Sequence, residues 1–145
     1  MPMINPYLNF NGNTEQAFLF YKSVFGGEFV TFQRFKDVPD LPGAEDMSAS
    51  DLEKIMHVAL PIGDDNILMA TDVLESFGHP KVSGNNMSIS VSADTAEEAR
   101  DIFDKLSKGG KIEMPLEEAF WGALFGMFTD KFGVQWMVNY QQDEE

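Results

Sequence analysis

The chain has no cysteine among its 145 residues, which excludes disulfides, thiolate metal sites and cysteine nucleophiles together. That absence fits a cytoplasmic location. Basic side chains are scarce: 10 Lys and Arg against 24 Asp and Glu leave a formal net charge of −14 and a pI near 4.3. A chain this acidic repels phosphate backbones and anionic lipid, so neither nucleic acid nor a membrane surface is an expected partner. No acidic run is long enough to act as an interaction tail, and the charge reads as a solvated face. Long apolar runs are missing as well. None approaches the roughly 18 to 20 residues needed to cross a bilayer, and the opening MPMINPYLNF has no basic segment followed by an apolar helix. A soluble intracellular protein is the expectation. Histidine occurs only at His57 and His79, so imidazole chemistry has few places to start.

What is present is aromatic. A hydrophobic content of 43% with thirteen Phe is enough for a real core in one domain or two small modules. The densest stretch, FWGALFGMFTDKFGVQWMVNY at 120–140, holds both tryptophans and reads as a complete hairpin. Its turn is Asp130-Lys131-Phe132-Gly133, where Gly133 can take the positive φ that closes a four-residue connection. On the second strand Val134, Trp136 and Val138 share one face, while Gln135, Met137 and Asn139 share the other. The first set suits a core; the second suits either a solvated face or the wall of a cavity.

Taken in order, residues 3–10 alternate Ile4, Pro6, Leu8 and Phe10 against Asn5, Tyr7 and Asn9, as an edge strand does, since Pro6 cannot donate to a ladder. Asn11-Gly12-Asn13 is a turn, with Asn13 and Gln16 as N-cap and capping box of a helix that runs to about Phe25 and stops at Gly26-Gly27. Its apolar stripe is expected to be Ala17, Phe20, Tyr21, Val24 and Phe25. Residues 28–35 alternate as a strand. Residues 36–54 carry two prolines and six acids, which predicts a long mobile loop, either a lid or a plain surface excursion. A second hairpin is expected over 55–62 and 67–72, followed by a polar connector that contains His79. A strand at 87–91 precedes a helix capped by Asp94 and Glu97, with Ala99, Ile102, Phe103 and Leu106 on one stripe and Gly109-Gly110 as its stop. A strand at 111–118 then leads into the 120–140 hairpin.

The order strand, capped helix, Gly-Gly, strand, hairpin thus occurs twice, and Asn13-Thr14 recurs as Asp94-Thr95 at an offset of 81 residues. Two copies are too few for a solenoid, so they read as two βαβββ modules, about 3–72 and 86–140, of a single domain. A helix covers only one face of its sheet, which leaves the opposite faces free to curl around a shared cleft.

A doubled βαβββ unit resembles the vicinal oxygen chelate superfamily of glyoxalases, extradiol dioxygenases and bleomycin-resistance proteins, and most closely its PhnB-like branch. The residues that carry this are PYLNFNGNTEQAFLFYKSVFGG at 6–27, MHVALPIGDDNILMATD at 56–72 and the 120–140 hairpin. The resemblance implies an α+β fold whose modules form a sheet-lined cup, and a homodimer. It also implies a divalent metal held by His, Glu or Gln. Carried over to this chain, the ligand positions fall on Asn5 or Pro6, near Met69, on Asn86 and on Met137. None is a histidine or a carboxylate, and thioethers and neutral amides are poor donors to a hard or borderline ion. Metal-dependent lyase or dioxygenase chemistry is therefore in doubt, and no metal or other cofactor is expected. The branch has also been labelled a ubiquinone-biosynthesis methyltransferase. No Gly-rich loop between strand and helix supports a nucleotide-like cofactor.

His57 fits the MH motif of that branch. It is the candidate catalytic residue, as a general base, against the plainer use of a hydrogen-bonded structural histidine. If the cup exists, the residues expected to line it for an unknown small molecule are Tyr7, Asn9, His57, Met69, Asn86, Ser88, Gln135, Met137 and Asn139, with Trp121 at the hairpin entrance able to stack on a ligand. Three functions remain open: a metal-free binding protein akin to the resistance proteins, an enzyme with displaced metal ligands or a metal-free His57 base, and an interaction protein with a collapsed cup.

Overall fold

The structure, a computed structural model, describes residues 2–78, 84–119 and 122–141. His79 and Trp121 lie outside the described residues. The chain divides into two compact units, Met1–Ser83 and Gly84–Glu145. The first contains β1 (Tyr7–Phe10), α1 (Thr14–Phe25), β2 (Thr31–Arg34), the single-turn α2 (Ala49–Leu52), β3 (Ile55–Ile62) and β4 (Asn66–Asp72). The second contains β5 (Ile89–Ser92), α3 (Ala96–Ser107), β6 (Lys111–Glu118), β7 (Ala123–Thr129) and β8 (Gln135–Gln141).

Both sheets have one topology. Their orders are β1-β4-β3-β2 and β5-β8-β7-β6, in which an antiparallel meander of three strands is completed by the first strand lying parallel to the last. The expected βαβββ repeat is therefore present, and the fold is α+β. In each unit one helix covers one sheet face. Leu68 and Ala70 of β4, Val58 and Leu60 of β3, and Phe10 of β1 turn to the α1 side and are buried. Trp136, Val138 and Phe128 do the same on the α3 side, where Phe103 meets Phe128 edge-on at 5.1 Å. Ala99, Ile102, Phe103 and Leu106 are all buried, as the helical spacing predicts. Each of the larger side chains contributes about 1.5–3 kcal/mol by leaving water.

The helix ends depart from local sequence signals. Asn13 precedes α1, but its side chain makes no capping bond. The acceptor comes instead from the far end of the module: Asp72 Oδ1 accepts from Gly12 N, Thr14 N and Thr14 Oγ1 at 3.1, 3.0 and 2.6 Å, and Oδ2 from Ile55 N at 2.8 Å. One buried carboxylate thus ties the end of β4 to the start of α1 and the start of β3, where its charge also faces the positive end of the helix dipole. The buried stripe of α1 is Thr14, Ala17, Phe18 and Tyr21, so Phe18 takes the central place expected of Phe20. At α3 the cap is shifted by one residue from the expected Asp94 and Glu97: Thr95 accepts from Glu98 N at 3.0 Å, and Glu98 returns to Asp94 N at 2.9 Å.

Two further expectations are revised. Regular pairing of the first strand begins only at Tyr7, although Pro6 O still accepts from Met69 N at 3.1 Å. Residues 36–54 are not a structureless loop. They contain α2, capped by Ser48 on Asp51 N, and their two ends are joined by a Lys36–Glu53 ion pair at 2.7 Å. The last hairpin turns as expected, with Gly133 at φ 91. Asp130 Oδ1 accepts from Phe132 N and Val134 N, and Oδ2 from the Trp136 indole at 2.9 Å.

Candidate functional site

In the first unit the face turned away from α1 carries the candidate residues. Register fixes who meets whom: Tyr7 lies opposite Met69, Asn9 opposite Thr71, Met69 opposite Ala59, and His57 opposite Gln33. Opposing residues share a face, so Tyr7, Asn9, Met69, Thr71, His57 and Gln33 form one polar array. Within it the Tyr7 hydroxyl lies 3.3 Å from His57 Nδ1, and the two rings stack at 5.6 Å and 17°. Partial burial pushes the Tyr7 phenol above its ordinary value, and a hydrogen bond with Thr71 offsets part of that rise. The pair is 50 residues apart in sequence and is made by the β1–β4–β3 register alone.

The second unit repeats the arrangement with other side chains. Ser90 lies opposite Met137 as Tyr7 lies opposite Met69, and Ser92 lies opposite Asn139. Asn139 Nδ2 donates to Ser90 Oγ at 3.4 Å. Gln135 is occupied in holding the backbone before β5, donating to the carbonyls of Asn85, at 3.0 Å, and Met87. Asn86 and Ser88 lie in that exposed segment, outside β5. The candidate residues that are described thus fall into two sets, one in each unit.

The donors at the carried-over ligand positions do not suit a divalent metal. The Asn5 amide oxygen already accepts from Ile67 N at 3.3 Å, and the paired strands add a phenol, a hydroxyl and two thioethers at Tyr7, Ser90, Met69 and Met137. Among the described residues no three or more His, Asp or Glu side chains come together to hold an ion. The two strand-to-helix links, Asn11-Gly12-Asn13 and Ala93-Asp94-Thr95, are not glycine-rich, and the N-terminus of α1 is taken by Asp72. A carboxylate of the protein itself thus stands at the α1 N-terminus, where a phosphate would otherwise be held.

A depression of about 380 Å³ lies at the opposite end of α1 from Gly26, bordered by Glu15, Arg34, Glu53 and Lys54. Its charges satisfy one another. Arg34 forks onto the two Glu15 oxygens at 3.0 and 2.9 Å and also donates to Glu53 O, while Lys54 pairs with Asp51 at 2.9 Å. The guanidinium holds the Glu15 carboxyl below its ordinary value. This is a seam that fastens β2 to α1. Among the described residues no helix is long and apolar enough to cross a membrane.

Residues 4–138 match the family described as the glyoxalase/bleomycin resistance protein/dioxygenase superfamily. Protein YjdN of Escherichia coli K12 is 34% identical over 96% of this chain and 95% of its own length. Among solved structures, protein PA1353 of Pseudomonas aeruginosa is 41% identical with a TM-score of 0.85, covering 99% of this chain and 100% of its own. The PhnB protein of Bacillus cereus is 30% identical with a TM-score of 0.73, covering 96% and 99%.

Proposed function

This chain belongs to the glyoxalase/bleomycin resistance protein/dioxygenase superfamily, and from that premise we propose that it binds an uncharged small molecule without the superfamily's usual divalent metal. The observation that carries this reading is the donor set. At the positions carried over for imidazole and carboxylate ligands stand Asn5 or Pro6, Met69, Asn86 and Met137, and the paired first and last strands set Tyr7 beside Met69 and Ser90 beside Met137. Such a surface offers hydrogen bonds and soft apolar contact, the chemistry of a recognition site, and gives a divalent ion little to hold. Tyr7, Asn9, His57 and Gln33 supply the directional contacts of the first sheet. The cytoplasmic location and the homodimer expected from the family belong to the same reading, and light scattering of the purified chain tests the latter.

The deciding experiment is a thermal-shift screen of tag-free protein against neutral hydrogen-bonding compounds, with elemental analysis of the same sample. A true ligand raises Tm with concentration, by about 2.7 kcal/mol of stability at a hundred times its Kd, and Tyr7→Phe with His57→Ala weakens the effect. About one tightly held divalent ion per chain overturns the reading.

The Tyr7–His57 contact favours one alternative, a metal-free enzyme in which His57 is the base and Tyr7 orients it. Its test is turnover: if activity on a ligand found by the screen survives His57→Ala in folded protein, His57 has no part in catalysis.

A further inference from the structure

The face of the second sheet turned away from α3 carries thioether chemistry beyond the contact that Met137 gives the proposed recognition surface. Met127 on β7 stands opposite Met137 on β8, and Met114 on β6 stands opposite Met127. Three of the nine methionines therefore make one row across three adjacent strands. The row depends on an irregularity. Ile112 pairs with Phe128, so an unbroken ladder would set Met114 against Gly126; the register shift between Ile112 and Met114 sets it against Met127 instead. Bulges are devices that re-aim a side chain in this way.

These methionines are not the filler of the helix-covered core. That space is taken by Phe103, Phe128, Trp136 and Val138, all buried, whereas Met127 and Met137 are half-buried and Met114 is 48% exposed. Opposing Cβ atoms on neighbouring strands stand about 4.5–5.5 Å apart, and each thioether hangs on three rotatable bonds. The outer two side chains can lean inward to bring three sulfurs to one point above β7. Thioether sulfur is a soft donor that suits soft ions such as Cu(I) and discriminates against hard ones such as Mn or Mg. The net charge of −14 adds a general attraction for any cation.

We infer that Met114, Met127 and Met137 form a site for a soft monovalent cation, Cu(I) or its redox-inert counterpart Ag(I), held by three thioethers. The site lies within the second unit and is independent of ligand binding at Tyr7 and His57. Binding is a simple association that consumes no electrons and leaves the thioethers un-ionised.

The test is a titration of the full chain, labelled with ¹³C at the methionine methyls, with silver nitrate in chloride-free buffer. Native mass spectrometry counts the ions. The expected result is one Ag(I) per chain, with the methyl signals of Met114, Met127 and Met137 shifting together and those of Met56 and Met69 staying in place. Met114→Leu, at a half-exposed position that keeps its volume, raises the Kd for Ag(I) at least about tenfold, or 1.4 kcal/mol; Met127→Leu does the same. Should Met127→Leu fail to fold, Met114→Leu and the wild-type methyl shifts decide alone. Shifts spread evenly over all methionines, absence of stoichiometric uptake, or a Kd unchanged in Met114→Leu each overturn the assignment.

Discussion

Replacing Asp72 by alanine removes the acceptor for four donors at once. Three of them, Thr14 N, Thr14 Oγ1 and Ile55 N, are in buried hydrogen bonds, while Gly12 N is part-exposed and finds water. The Thr14 hydroxyl can rotate to another acceptor; the two backbone N–H groups cannot. At about 1–3 kcal/mol for each buried donor left unpaired, with the charge-to-dipole attraction lost as well, the expected destabilisation is about 3–5 kcal/mol. Asparagine separates the contributions. Its single oxygen can replace Oδ1, but its NH₂ then confronts the Ile55 N–H, so Asp72→Asn is expected to cost about 2 kcal/mol. Urea denaturation followed by far-ultraviolet circular dichroism measures both. Amide exchange at Thr14 and Ile55 localises the loss, being faster in the alanine variant at both sites and in the asparagine variant chiefly at Ile55. An alanine variant within about 1 kcal/mol of wild type, or an asparagine variant no better than alanine, would refute the reasoning.

Gly126 lies where an added Cβ would be 2.6 Å from Phe103 and 2.9 Å from the Leu116 backbone; Gly126→Ala is expected to lower stability by about 1–3 kcal/mol, read as a fall in Tm. Asp130→Asn frees the Trp136 indole or a turn N–H, and should alter tryptophan fluorescence while loosening the 130–133 turn in amide exchange. Glu15 is held below its ordinary pKa of 4.5 by Arg34. Its contribution is therefore fully present above pH 4.5 and is lost as pH falls through the depressed folded value, so the stability gap between wild type and Glu15→Gln should close in that acid range. Tyr7 is shifted upward from 10.0: difference absorbance against Tyr7→Phe should show it ionising above that value, Thr71→Val should push it further up, and the folded state should lose stability as pH rises past 10.0.

The local periodicities were legible and the long-range partners were not. Alternation over 135–141 and the stripe Ala99, Ile102, Phe103 and Leu106 announced β8 and α3, because those patterns need no knowledge of what lies opposite. The cap of α1 was misread because Asn13 carries a strong local signal, while the acceptor that serves, Asp72, is 58 residues from Thr14. Phe18 and Phe20 both sit on a helix rich in aromatics, and only the sheet beneath decides which is buried. Residues 36–54 looked structureless from their prolines and acids, yet Ser48 and Asp51 encode a short capped helix. At the candidate site, His57, Tyr7 and Met69 were nameable one by one. That Tyr7 touches His57, and that Met137 occupies in its sheet the place of Met69, follows from register, which a single sequence does not state. The bulge that brings Met114 beside Met127 had no sequence signal beyond Pro115 after it.

The parallel pair that completes each sheet also orders the events of folding. Gly12 and Asp72, which fasten the first strand to the last in one unit, are 60 residues apart, and Ser90 and Asn139 in the other are 49 apart. The meanders β2–β3–β4 and β6–β7–β8 close much shorter loops, so they can form while the first strand is still loose. β1 and β5 then dock last, and their amides should be the latest to gain protection in a refolding pulse. Since every strand pairing among the described residues lies inside one unit, a chain severed between Ser83 and Gly84 keeps each of those ladders whole. Two separately synthesised fragments would each carry the strands described for their own sheet, so each can be tested for folding alone.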